Sequence, residues 1–491
     1  MVIQLKNKSI WSDFKKTKNY LKLDNDITTD VLIIGGGITG LSIAYHLANS
    51  NLKVCLVEKN KLGQAVTSKT TGKLTYLQEN IYSKLNVFHN IDTAKLYLES
   101  QVDAINLVKE IVEREKINCD LEKVQSYVFT NDENYNLDKE KEILKQLNIK
   151  FKKTNVLPNK DKVKDAFYVE DTYVFHPLKY IYSLAEVCQK KKIAIYENTK
   201  IVSIEKEDNC HICETPSNII KAKYVVLALH YPYFLSPFWM PLKSYIEKSY
   251  IEAFEVNKNY GFSSINTYQP TISTRYHSDN NKNYQIYLTN PHNLCVKNNE
   301  KENFKNLRNA KNDNPDYLWS NMDIMTADFL PFIGSLKNDK TLFLATGYNT
   351  WGMTNGSLAG KMISDLILRI PNKYTKLFNP NRKINLGKIV NFPVILTSNA
   401  YSFLKSKISK QKSWYSPNVK FENRNGKEIA IYIDENKKEH IVYNICPHLK
   451  CNLIFNEVEK TWDCPCHGSR FDIEGNSIEG PSNYNITYKN D

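Results

Sequence analysis

Nowhere does the chain hold an uninterrupted apolar run of about 18 residues, which a membrane-crossing helix requires. Met1 to Ile10 carries charges, but no apolar stretch of the length an export signal needs follows it. These absences predict a protein with no integral membrane segment, kept in the cytoplasm. The net charge is +13, yet no lysine run with interleaved aromatics accompanies it, so nucleic acid is not an expected partner. There is no internal repeat. Cysteine is sparse over most of the length: six of the ten are scattered before Cys446, while Cys446, Cys451, Cys464 and Cys466 crowd into 21 residues. That distribution argues against an extracellular disulfide framework and for local metal or redox chemistry.

The 491 residues, 42% of them hydrophobic, suffice for about three domains with buried cores. From Gln411 onward acids slightly outnumber bases, 12 to 10, so the basic excess lies in the first part. Asp30–Ile34 reads as a short buried strand, Gly35–Gly40 as a turn, Leu41–Asn49 as an apolar helix and Lys53–Glu58 as a second parallel strand, making a βαβ unit. Residues 91–150 read as amphipathic helices. Tyr224–Leu229 is apolar throughout, as a central parallel strand would be, and residues 243–320 alternate aromatic with polar residues, as an antiparallel sheet would. A strand at Leu342–Ala345 and a helix from about Asn355 to Ile370 return to the first unit. A proline-punctuated connection follows, with a helical segment near Ala400–Lys407, and Asn425-Gly426 marks a hairpin between Val419–Phe421 and Ile429–Ile433.

Gly35, Gly37 and Gly40 form GxGxxG. The first allows the tight turn, the second lets backbone approach a pyrophosphate, and the third lets helix pack on strand with its N-terminus toward the phosphates. Glu58, ending the next strand, is placed to accept from ribose hydroxyls. This pattern alone does not separate FAD from NAD. Further along stand Thr326-Ala-Asp-Phe-Leu-Pro-Phe-Ile-Gly334 and Leu344-Ala-Thr-Gly347-Tyr-Asn-Thr-Trp351-Gly352-Met353-Thr354-Asn-Gly356. They resemble the flavin signature of the glycine oxidase and D-amino-acid oxidase superfamily, and the resemblance implies FAD. It extends to Thr67–Thr75, including Thr71 and Lys73, to Val174–Pro177 and to Trp319–Asp323. The cofactor-binding residues it implies, with those of the glycine turn, are Gly35, Gly37, Gly40, Glu58, Thr71, Lys73, Gly334, Gly347, Trp351, Gly352, Met353 and Thr354.

Cys446-Pro-His448-Leu-Lys-Cys451 and Cys464-Pro-Cys466-His467-Gly468-Ser469 give CxHxxC and CPCHG loops. This is similar to the Rieske signature, in which each loop delivers one Cys and one His to a [2Fe–2S] cluster. The resemblance implies Cys446 and Cys464 on one iron, His448 and His467 on the other, and a disulfide between Cys451 and Cys466. A Cys₂His₂ zinc site would satisfy the ligand count, but it leaves the extra cysteines and Gly468-Ser469 unexplained and does not pair like ligands. Phe471 stands where high-potential relatives carry a tyrosine, and loss of that donor is expected to lower the potential.

Cys210-His211-Ile-Cys213 lacks further nearby ligands and reads as a hairpin with incidental cysteines. His176, His230 and Arg275 are the remaining candidates: His176 as a catalytic base or a structural histidine, Arg275 as a carboxylate clamp or a surface arginine. The whole chain resembles bacterial FAD-dependent oxidoreductases with a C-terminal Rieske domain. The expected fold is α/β plus all-β. A Rossmann-like FAD-binding domain (residues 1–90, 151–240 and 321–370) carries an inserted helical and antiparallel-sheet substrate domain (91–150 and 241–320). A linker (371–412) leads to the β-rich Rieske domain (413–491). The expected activity is oxidation of a small substrate, an amine or amino acid, with electrons passed singly from flavin to cluster and on to an external acceptor, a protein or a quinone. Two other readings are open: an electron-transfer module reduced by a partner protein, and an oxidase whose Rieske domain is structural or redox-sensing.

Overall fold

A computed structural model of the chain describes residues 8–15, 18–232, 240–294, 303, 315–384, 417–482 and 484–489. Ile27–Ile34 forms the centre of an eight-stranded sheet because its second half, Val31 to Ile34, is apolar on both faces and fully covered. It pairs in parallel with Val54–Val57 on one side and Ile219–Leu227 on the other. Leu342–Thr346 joins the far side of Ile219–Leu227, also in parallel. Helix Ile38–Leu47 is buried nearly all round, since it lies between this sheet and helix Gly352–Ile367. The helix expected to begin near Asn355 therefore starts three residues earlier, at Gly352.

A nine-stranded sheet forms the second layer, in the order 317–326, 244–256, 282–293, 272–279, 262–266, 122–130, 162–174 and 73–74, with 152–156 on the outer side of 162–174. It is antiparallel except where Phe262–Asn266 runs parallel to Glu122–Thr130. Its membership corrects the boundaries read from sequence. Glu122–Thr130 is a strand inside the stretch read as helices, because Val124, Ser126 and Val128 alternate with Gln125 and Tyr127 against neighbours on both sides. Residues 152–174, assigned to the nucleotide-binding part, complete this sheet, as do 73–74 and 321–326. The first part of the expected linker is packed: Phe378 is buried, and Arg382 binds Asp328 through Nε (2.6 Å) and Nη2 (2.8 Å). The helical segment near Ala400–Lys407 lies outside the described residues.

The C-terminal domain has a three-stranded sheet (419–424, 427–433, 439–443), with the expected turn at Asn425-Gly426, and a four-stranded sheet (454–456, 461–463, 470–471, 477–479). Its core gathers Trp462, Phe471, Val442 and Ile486 around Cys446, Cys451, Cys464 and Cys466. The domain sits on the nine-stranded sheet through buried charges. Lys248 meets Asp463 at 3.2 Å, and Arg470 holds Asp463 (3.1 Å) and Glu459 (2.8 Å). Ser320 donates to Glu459 through N (3.2 Å) and Oγ (2.5 Å). Among the described residues no helix is long and apolar enough to cross a membrane.

Candidate functional site

The glycine turn is sterically fixed. A Cβ on Gly35, whose φ is +117°, would lie 2.4 Å from the carbonyl oxygen of Ala228, and one on Gly40 would lie 1.9 Å from that of Gly35. The turn therefore brings bare backbone to the start of helix Ile38–Leu47, whose N-terminus carries partial positive charge. Thr67 Oγ1 accepts from Ile38 N at 3.2 Å and closes the same loop. Glu58 is held by Gly36 N (2.8 Å) and Asn60 N (2.9 Å), while burial pushes its carboxyl upward.

Helix Gly352–Ile367 begins beside this point. A Cβ on Gly360 would come within 2.4 Å of Ser42 Cβ, and one on Gly356 within 2.8 Å of Thr39 Oγ1, so only glycine lets the helices lie this close. Both helix N-termini border one cavity. Gly35 to Thr39, Glu58, Thr67, Tyr348, Gly352 and Met353 form its floor, and Thr199 to Ile201 and Ala228 to Tyr231 form its sides. The remaining wall comes from another domain: Ile478, Glu479, Gly480 and Pro481. Lys69 forms an ion pair with Glu479 and pins that wall. His230 lines the cavity with Nε2 unpartnered among the described residues, and burial pushes its imidazole down to about 4. A glycine cradle, a held carboxylate, two helix N-termini and an unsatisfied ring nitrogen fit a bound dinucleotide.

Of the residues expected to bind the cofactor, Gly35, Gly37, Glu58, Gly352 and Met353 line the cavity, and Gly40 packs beneath the turn. Gly334 faces Pro380, and Gly347, with φ +73°, lies on Thr326 and Phe332, so both shape the surrounding turns. Thr354 is buried and donates to the Trp351 carbonyl at 3.2 Å. Lys73 points away into the nine-stranded sheet, donating to Ser264 O (2.9 Å) and Ser273 Oγ (2.6 Å), and burial lowers its ammonium to about 7. The Thr71 carbonyl accepts from Arg275 at 3.1 Å.

Arg275 is neither clamp nor surface residue. Fully buried, it donates to the carbonyls of Thr71, Gly72, Phe175 and Tyr276 and stacks on Trp11. His176 caps helix Pro177–Lys190, its Nδ1 accepting from Lys179 N at 3.2 Å. Neither lines the cavity, so both act in the frame around the loop at Gly72. The pair Cys210 and Cys213 lies on a hairpin whose His211 meets Thr341 at 2.9 Å.

The two C-terminal loops close on each other. The sulfurs of Cys451, Cys464 and Cys466 lie within 4.8 Å of one another, but Cys451 and Cys466 are joined in a disulfide. This leaves Cys446 and Cys464, both buried and hydrogen-bonded to each other; that bond, foremost, lowers Cys446 to about 7. The rings of His448 and His467 stand edge to face 5.0 Å apart, and His448 Nδ1 is buried without a partner among the described residues. Two thiols, two imidazoles and an unsatisfied ring nitrogen between tied loops fit a [2Fe–2S] cluster. A Cβ on Gly468, next to His467, would lie 2.8 Å from Met322 Sδ and 3.4 Å from Leu294 and the Tyr231 hydroxyl, so these side chains border the loop. Tyr231 thus touches the cluster loop and lines the cavity.

Comparison with known proteins agrees with this geometry. Residues 30–366 match the FAD dependent oxidoreductase family and residues 407–488 the Rieske [2Fe-2S] domain. YhfW of Bacillus subtilis (strain 168), named as a Rieske 2Fe-2S iron-sulfur protein, is 30% identical over 96% of this chain and 95% of its own. The gamma-glutamylputrescine oxidoreductase of Escherichia coli (strain K12) is 22% identical over 79% of this chain and 95% of its own. Among solved structures, glycine oxidase from Geobacillus kaustophilus shares the fold at a TM-score of 0.60 and 18% identity, covering 73% of this chain and 100% of that one. L-proline dehydrogenase from P. horikoshii does so at 0.60 and 16%, covering 73% and 98%.

Proposed function

Because the chain belongs to the FAD dependent oxidoreductase family and ends in a Rieske [2Fe-2S] domain, we propose that it is a dehydrogenase for an amine or amino acid, delivering electrons singly to an external acceptor. The acceptor is a protein or a quinone. The bound flavin supplies two-electron oxidation of a substrate C–H bond, and the cluster supplies one-electron transfer. In this reading Glu58 holds the ribose, and the N-termini of helices Ile38–Leu47 and Gly352–Ile367 hold the pyrophosphate and the pyrimidine edge. Cys446 and Cys464 hold one iron, His448 and His467 the other, and the Cys451–Cys466 disulfide keeps the loops together.

One observation carries the reading: the cavity has a Rieske-domain wall, and Tyr231 joins it to the cluster loop. The test needs no substrate. FAD is photoreduced anaerobically in limiting steps while flavin absorbance and the electron paramagnetic resonance of the cluster are recorded. A Rieske signal that grows as the flavin supplies electrons is expected. Complete flavin reduction beside an oxidised, silent cluster would overturn the relay.

A further inference from the structure

Strands Ser244–Val256 and Tyr317–Thr326 pair antiparallel and, apart from Glu255 and Val256 at one end, are buried except at four side chains: Tyr245, Glu247, Asp323 and Met325. The register sets Tyr245 opposite Met325, Glu247 opposite Asp323 and Ser249 opposite Asn321. Residues two apart on a strand share a face, so these six form one patch, and the sheet opens at its centre. The opposite face, with Lys248 and Ser320, holds the Rieske domain. On the patch's own face Trp319 donates to the Lys69 carbonyl at 2.9 Å, so the patch looks toward the nucleotide-binding layer. Asn349 fastens the strand there: its Oδ1 accepts from Thr326 N (2.7 Å) and its N donates to the Ile324 carbonyl (3.3 Å), three residues before the helix start that lines the cavity.

The patch is acidic and short of partners. Asn321 Nδ2 donates to Asp323 at 2.9 Å. Its Oδ1 and the Ser249 Oγ have no hydrogen-bond partner among the described residues, although Asn321 and Ser249 are only 6% and 5% exposed. The nearby cation, Lys84, is paired with Glu79 at 3.1 Å. Among the described residues neither Glu247 nor Asp323 has an ion-pair partner. Burial, then Glu79 and Asp323, push Glu247 up to about 7; burial lifts Asp323 to about 7 against the bond from Asn321. Lys84 offsets the charge on Glu247 only in part, and two adjoining carboxylates of this kind are stabilised by an arriving cation.

We propose that this patch recognises the substrate and selects a cationic amine without a carboxylate, Asp323 and Glu247 taking the ammonium donors and Asn321 and Ser249 completing the hydrogen bonds. An ammonium offers three donors to these acceptors, whereas a substrate carboxylate would face two like charges. This rests on the reading that the cavity at Tyr348, Gly352 and Met353 holds the flavin, and it narrows the substrate class from amines and amino acids to amines.

The test is anaerobic calorimetric titration of the FAD-loaded full chain with 1,3-diaminopropane, propylamine and 3-aminopropanoate. The diamine and propylamine bind, and 3-aminopropanoate binds at least about tenfold more weakly, as expected when a charge-assisted contact becomes a like-charge one. Asp323→Asn weakens the diamine by about tenfold to a hundredfold while Asp323→Glu restores most of it. Flavin content and the cluster resonance stay unchanged in both variants, which separates lost recognition from lost folding. Equal or tighter binding of 3-aminopropanoate, no binding of either amine, or an unaltered affinity in Asp323→Asn would overturn the proposal. Photoreduction uses no substrate, so these results leave the relay reading standing, whereas a chain that takes up no FAD overturns both.

Discussion

Arg275 shows how a side chain far from any substrate holds a site in shape. Its buried guanidinium gathers carbonyls from the loop at Thr71-Gly72 and from Phe175, joining the second sheet to the segment that follows strand Val54–Val57. A lysine has neither the fork nor the reach to satisfy them. Arg275→Lys is therefore expected to cost about 2–3 kcal/mol by stranding buried carbonyls, read as a lower unfolding midpoint with flavin content unchanged. The flavin resemblance drew attention to Thr71, Lys73 and His176, and the inserted domain to Arg275. Sequence does not say which way a side chain points, and Lys73, His176 and Arg275 point into the frame. The glycine turn was legible because its role is a backbone role, set by spacing, and Glu58 because it ends the strand that follows.

At the scale of elements, the crossing of helices Ile38–Leu47 and Gly352–Ile367 decides where two N-termini meet. Gly360 sits at the contact, with no space for a side chain before Ser42. Gly360→Val is expected to spread the helices and weaken FAD binding by about tenfold or more, the effect of overpacking by 1–3 kcal/mol at a close contact; titration of apoprotein with FAD measures it. The parallel core strands and this helix were readable from apolar runs and glycine turns. Glu122–Thr130 was not, because it lies between two helices, Ile91–Arg114 and Asp138–Gln146, in one polar stretch, and only its short alternation marks it. Strand partners separated by more than a hundred residues, such as Ser126 and Ser263, leave no local signature at all.

For the whole molecule, the decisive contacts join domains that sequence treats as separate. The carboxyl of Glu479 would be raised by burial, but Lys69 and Arg470 overcome this and hold it down to about 2. A depressed carboxylate contributes its full stabilisation above its unfolded value of about 4.3 and loses it as pH falls toward the folded value. Docking of the Rieske domain should hold at neutral pH and weaken between about pH 4 and pH 2, and it should be nearly indifferent to salt up to about 1 M because buried pairs are poorly screened. Small-angle scattering across pH and salt series checks both. The Cys and His loops were legible from spacing, but nothing in Ile478–Pro481 announces that it faces a nucleotide cavity in another domain. That wall also ties cofactor exchange to docking: with Ile478–Pro481 against the cavity, flavin release is expected to quicken where the iron–sulfur domain lifts away.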